Sequence, residues 1–300
     1  MSQDANLPVP GTTFNRTPLF EAMHAARYGR QSLIKEIEQR TQRRLLVYFA
    51  NIRHPLSGVD ASDIAPFQDL LSDCDKGVDV DLLLQTNGGD IDSAEKMVAM
   101  LRNRAKGFRL IVTERAKSAG TLMAMAADEI VMSATSELGP IDPQITLTQS
   151  DGRMIQRPAQ SFLDGLEDIK QQITEDGGVN PAYFPLLSQL DPALLDLCKK
   201  ELRHSREFAE KWLKKYMLQG DFPKAEDIAK KLADVRQYSS HGIVIDHEEA
   251  IKLGLNILFY DTDDPLWQLF WRLHLAYEVA SQQTRAAKTF ETRKVSLEIG

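Results

Sequence analysis

Residues 78–132 constrain the fold more than any other stretch. "VDVDLLLQTNGGDIDSAEKMVAMLRNRA" (78–105) reads as an apolar strand, a tight Asn-Gly-Gly turn and an amphipathic helix. "FRLIVTERA" (108–116) is the next strand. "AKSAGTLMAMAADEIVM" (116–132) then gives a small-residue junction, a helix-like apolar run and a third strand, "EIVM" (129–132). Strand, helix, strand, helix, strand with short links is the pattern of parallel strands covered by helices. Such crossovers are right-handed almost without exception. This half of the chain is therefore predicted to be an α/β layer.

The flanking segments extend the pattern. Thr17-Pro18 suits the opening of a helix, and "LFEAMHAARYGRQSLIKEIEQRTQ" continues it, with a break expected near Gly29. "RRLLVYFANI" (43–52) is a buried strand. "DASDIAPFQDLLSDC" is a helix with Asp60 or Ser62 as cap and Ile64, Phe67, Leu70 and Leu71 on its apolar face. "ITLTQSDGRMIQRP" (145–158) reads as a hairpin. Beyond it the chain is mostly helical: 159–176, 191–218, 223–234, a helix ended by Gly254 and followed by a last strand, and an amphipathic helix over 265–293.

Composition narrows the function classes. The 300 residues are 43% hydrophobic and 26% charged, an ordinary soluble composition. A net charge of −7 leaves no global basic footprint for nucleic acid. Cys74 and Cys198 are too few for a disulfide framework and suit a reducing cytoplasm. No apolar run reaches the roughly 18 residues of a membrane span, and the polar, Pro-rich N-terminus lacks an apolar signal region. No metal-ligand spacing suggests zinc, and no Gly-Lys-Ser/Thr phosphate loop is present. No cofactor is expected.

"TNGGD" (86–90) and "AKSAG" (116–120) fall at the C-terminal ends of neighbouring predicted strands, the edge where open α/β sheets bind ligands. Gly88 and Gly89 can turn amides into a cleft because glycine tolerates positive φ. Ser118 at a helix start places its own amide and that of Ala119 where the helix dipole is positive. Together they offer the donors a tetrahedral oxyanion needs. Taken singly, each has a plain structural reading: a Gly-Gly turn, and a serine that caps its helix.

"LLLQTNGGDIDSAEKMVAML", "KSAGTLMAMAADEIVMSATSELGPIDPQI" and "HGIVIDHEEAIKLGL" resemble the serine dehydrogenase proteinase family, related to signal peptide peptidase A and to the Clp protease peptidase subunit. The resemblance covers roughly residues 40–260. It implies a crotonase/Clp-protease-like superfold of repeated β-β-α units with a helical C-terminal half. It also implies a homo-oligomer acting on a peptide or protein substrate, with Ser118 as nucleophile and Gly88, Gly89 and Ala119 as oxyanion and substrate contacts. On this reading residues 1–18 are a flexible arm and 19–262 the peptidase domain. Residues 263–300 are a helix and tail that contact another subunit, a membrane-associated partner or another protein.

A serine needs a base. Clp-type relatives use a histidine soon after the serine, but "SATSELGPIDPQ" (133–144) has none; the first after Ser118 is His204, in a charged helix. Signal peptide peptidase A relatives use a lysine, which works as a base when burial keeps it neutral. Lys117 adjoins the serine, and its side chain is expected to leave in another direction. Lys170, with Leu166, Ile169 and Ile173 at helical spacing, is the expected base, and His241 is the alternative. Asp142 is held as structural. The rival readings are a crotonase-like acyl-CoA enzyme and a non-catalytic scaffold. The second draws on Trp267, Phe270, Trp271, Leu273 and Tyr277 as a candidate interface.

Overall fold

In the computed structural model, residues 17–149, 151–175, 184–188, 191–234 and 243–300 are described. Residues 1–16 of the proposed 1–18 arm and His241 lie outside them, while Thr17 and Pro18 cap and open the first helix. The first half contains helices α1 (Pro18–Met23) and α2 (Ala25–Thr41), strand β1 (Arg44–Ala50), α3 (Ile64–Ser72), β2 (Val80–Gln85), α4 (Ile91–Arg104), β3 (Phe108–Ile111), β4 (Arg115–Ala116), α5 (Ala119–Met125) and β5 (Glu129–Met132). Then come β6 (Glu137–Leu138), the hairpin β7 (Gln144–Thr148) and β8 (Met154–Pro158), α6 (Ala159–Glu175), α7 (Phe184–Leu187), α8 (Pro192–Lys215) and α9 (Phe222–Ala233). The chain closes with α10 (His247–Leu253), β9 (Ile257–Phe259), α11 (Pro265–Thr284), β10 (Lys288–Glu291) and β11 (Ser296–Ile299).

Seven strands form one sheet in the order β11-β10-β1-β2-β3-β5-β9. The five from β1 to β9 run parallel, and β10 and β11 add an antiparallel hairpin at one edge. Alternation along the strands explains the two cores. Leu46, Tyr48, Leu82, Leu84, Leu110 and Ile130 face α3, α4, α5, α8 and α9. Leu45, Val47, Phe49, Leu83, Ile111 and Val131 face Ile34 and Ile37 of α2 and the aromatic stripe of α11. Both faces are buried, which is why these strands read as continuous apolar runs.

Three local expectations change. The helical break falls at His24 (φ −114°), while Gly29 lies inside α2 with nothing within 4 Å of where a Cβ would be. The "FRLIVTERA" strand is two strands, separated at Val112–Glu114, where the chain leaves the main sheet and re-pairs with β6. The last helix stops at Thr284, capped by Arg285 in the left-handed region (φ 59°), and the chain returns as β10 and β11. Residues 263–300 are therefore built into the body of the fold. β10 pairs with β1, and Trp267, Phe270, Leu273 and Tyr277 are buried in the second core; Trp271 is half-buried against His274.

Candidate active site

The two glycine- and serine-bearing junctions are fastened to each other. Beyond β2 the Thr86 amide donates to the Arg115 carbonyl (3.1 Å) and the Lys117 amide to the Thr86 carbonyl (3.1 Å), so the strand ends run on as a pair. Gly89 bridges Val59: the Val59 amide donates to the Gly88 carbonyl (2.9 Å) and the Asp90 amide to the Val59 carbonyl (2.8 Å). Asp90 then caps α4 by accepting from the Ser93 amide (2.8 Å). The glycines are required here. Gly88 has φ +106° and Gly89 φ +148°, and a Cβ on Gly89 would sit 2.3 Å from the Val59 carbonyl oxygen.

Ser118 does not cap its helix. It has no side-chain cap hydrogen bond, and its backbone lies at φ 52°, ψ −114°, outside the regions ordinary residues adopt. Such strain costs on the order of 1–3 kcal/mol and persists only where surrounding contacts impose it. Those contacts are on both sides: the Gly120 amide donates to the Lys117 carbonyl (2.8 Å) and the Leu122 amide to the Ser118 carbonyl (3.0 Å). Thr121 Oγ1 lies 2.8 Å from the Ala116 carbonyl oxygen and accepts from the Gly139 amide (3.1 Å). The whole of α5 is buried, so the turn has no room to relax. The strained residue presents its hydroxyl against the Cα of Gly88, where an added Cβ would meet Ser118 Cβ at 2.6 Å and Oγ at 3.1 Å.

The amides divide unevenly. Gly88 N–H donates to Thr86 Oγ1 (3.0 Å). Among the described residues, neither the Gly89 nor the Ala119 amide donates to another group. Gly89 and Ala119 therefore each offer an open N–H donor, and Gly88 supplies clearance for the serine.

Ser118 opens into a cleft of about 610 Å³, bordered by Gly88, Gly89 and Asp90 on one side and Gln144, Ile145 and Thr146 of β7 opposite. Asp142, fully buried, accepts from the Gln144 side chain (2.8 Å) and so fixes a residue of that wall. Asp92, Glu201 and His204 also line the cleft, with no lysine or arginine among the described residues.

The expected bases are placed as follows. Lys117 turns away from the cleft: its Nζ lies 3.2 Å from Glu137 Oε1 and 3.4 Å from the Ile243 carbonyl oxygen. Lys170 stands on α6 with its side chain 59% exposed, paired with Glu167 (3.2 Å), and it does not line the cleft. Leu166, Ile169 and Ile173 are only half-buried, so among the described residues the apolar cover expected for its amine is absent. His204 of α8 is 86 residues beyond Ser118 on a charged helix, so sequence spacing alone does not pair the two. Its Nε2 lies 3.6 Å from Asp92 Oδ1 and 3.9 Å from Glu95 Oε2. The signal available in the sequence was the pair of carboxylates, Asp92 and Glu95, just after the Gly-Gly turn. Away from the cleft, burial pushes the His274 imidazole down to about 4, with Glu114 pulling the other way.

Comparison with known proteins adds the family. The family model of ClpP-like SDH-type serine proteinases matches residues 70–270, which include both junctions. An uncharacterized protein of Methanocaldococcus jannaschii is 31% identical over 187 residues, covering 62% of this chain and 54% of that protein. A second from the same organism is 32% identical over 154 residues, covering 51% and 44%. The matched segment thus spans about half the length of these relatives. Among solved structures, a ClpP1 variant from Listeria monocytogenes is similar at 10% identity and a TM-score of 0.37, covering 77% of this chain and 99% of that one. Among the described residues no helix is long and apolar enough to cross a membrane. With the family model spanning about two thirds of the sequence, the chain belongs to the ClpP-like SDH-type serine proteinases.

Proposed function

We propose that the protein is a serine endopeptidase that cleaves peptide bonds through an acyl-enzyme on Ser118. The observation that carries this is the strained, uncapped Ser118 at the cleft floor beside two undonated amides, Gly89 and Ala119. Ser118 Oγ attacks the carbonyl carbon, the two amides receive the oxyanion, and the base takes the hydroxyl proton and returns it to the leaving amine. Water then hydrolyses the ester with the same base. An extended substrate would lie between the Gly88–Asp90 segment and the free edge of β7, adding a strand to the hairpin. An acyl-CoA reaction on the same fold would leave the strain at a serine without a purpose.

Two bases are compatible with this scheme. His204 lines the cleft and has two carboxylates beside its Nε2 to orient the ring. The Ser118–Lys170 dyad needs α6 to be covered by a second chain. α6 fully buries Ala159 alone, so its apolar side has surface left for such a contact in a homo-oligomer. We favour His204 in the single chain and propose a homo-oligomer in a reducing cytoplasm, in keeping with two buried free thiols. Hydrolysis of a fluorogenic peptide by wild type, His204→Ala, Lys170→Ala and His241→Ala tests the scheme. The favoured base is the one whose loss lowers kcat by about 10²-fold or more. Full activity in His204→Ala with loss in Lys170→Ala would replace His204 with the dyad.

A further inference from the structure

We propose that Glu114, His274 and Glu278 form a binding site for a divalent transition-metal ion, on the face of the sheet opposite α5. The core of the site is an imidazole whose position is fixed from three sides. His274 is 2% exposed. Trp271 stacks on it (4.9 Å between ring centres, 7° between planes) and Phe49 meets it edge-on (5.4 Å). Its Nδ1 lies 2.9 Å from Thr113 Oγ1. The tautomer with Nδ1–H donated to that hydroxyl leaves Nε2 free to ligate an ion beside the Glu114 carboxylate. Nε2 is 3.8 Å from Glu114 Oε2, beyond hydrogen-bond reach, and it has no hydrogen-bond partner among the described residues.

The rest of the cluster meets the needs of an ion. Glu278 follows His274 by one helical turn on α11, which puts both on one face. One donor atom from each of the three residues falls within 4.8 Å of the others. Bonds of about 2.0–2.2 Å place tetrahedral donors about 3.3–3.6 Å apart around one ion, so the set must draw in by roughly 1 Å on binding, and half-buried Glu278 has room to move. Glu114 is held from behind: Gln85 Nε2 donates to its Oε2 (2.5 Å) and an Arg115 guanidinium N–H to its Oε1 (2.9 Å). Each of Glu114 and His274 thus has the outer partner that orients a metal ligand. One imidazole and two carboxylates suit Zn²⁺ or Mn²⁺ and not the all-oxygen preference of Ca²⁺ or Mg²⁺. Glu114 lies four residues before Ser118, so the ion would tie α11 to the strand that carries the nucleophile turn. The sequence hid this site because its ligands are 160 residues apart at Glu114 and His274.

The test uses the untagged full-length chain, stripped with chelator and then titrated with ZnCl₂ or MnCl₂, read by thermal unfolding and by metal content after gel filtration. The expected result is one ion per chain and a saturable rise in Tm with at least one of the two metals. Glu278→Gln, a half-exposed change that spares the core, should keep the metal-free Tm and lose the rise. Thr113→Val, which removes the partner of Nδ1, should weaken binding by about 10–100-fold. No rise with either metal overturns the proposal. So does a rise retained in Glu278→Gln, or an equal response to MgCl₂ or CaCl₂.

Discussion

Replacing Gly88 with alanine tests whether the Gly-Gly turn exists to seat the serine. The added Cβ would lie 2.6 Å from Ser118 Cβ, 2.9 Å from the Lys117 carbonyl oxygen and 3.1 Å from Ser118 Oγ. Ordinary carbon–carbon contacts are about 3.5–4.0 Å, so the serine or the turn must move by about 1 Å. Misplacing a reacting group by that amount costs about 10²-fold in rate. The Gly88 φ of +106° adds strain on the order of 1–3 kcal/mol for any residue with a side chain. That strain lowers Tm by about 2–4 °C per kcal/mol in a domain of roughly this size. The assay is kcat/KM on a fluorogenic peptide, at a temperature where circular dichroism shows the variant folded. Gly29→Ala, at a helix-interior glycine with nothing within 4 Å, serves as the control and should leave activity intact. A folded Gly88→Ala variant with more than half of wild-type kcat/KM would refute the reasoning, because the contact would then have been relieved without moving Ser118.

Two further outcomes follow from the same geometry. Lys288 is 2% exposed and lies 2.8 Å from Asp63, which is fully buried. Lys288→Ala should cost about 3–5 kcal/mol by leaving that carboxylate without its partner, read from urea unfolding; a loss under 1 kcal/mol would show the pair to be replaceable. The cleft is lined by Asp90, Asp92 and Glu201, with no lysine or arginine opposing them among the described residues. Peptides with lysine or arginine beside the cleaved bond should therefore be cut faster than glutamate counterparts. The preference should shrink with added salt, and equal rates at low salt would count against an acidic subsite.

The nucleophile turn was legible because its determinants are local. Apolar strands, a Gly-Gly pair and a Ser-Ala-Gly step lie within residues 80–120, and the helical and strand periods change where the chain turns. What was not legible depends on long-range packing. "KTFE" and "SLEI" become strands because β10 pairs with β1, more than 230 residues earlier, so nothing near 288 ends the helical pattern except the left-handed Arg285. The aromatic stripe of α11 has the same pattern whether it meets a partner or the chain's own sheet; Val47, Phe49 and Val131 on the facing strands decide it. Lys170 had the right neighbours in sequence, but burial of an amine depends on what covers its helix, and among the described residues α6 fully buries Ala159 alone. His204 reaches the cleft through the packing of α8, and no spacing rule relates it to Ser118.

The central claim is that Ser118 is the reactive group. Its direct measurement is the intact mass and peptide map of the protein after treatment with a fluorophosphonate, for wild type and Ser118→Ala. One adduct per chain, on Ser118 and absent from the alanine variant, is the predicted result. A folded wild-type protein that takes no label up to about pH 9, or a Ser118→Ala protein that still takes one, would contradict it.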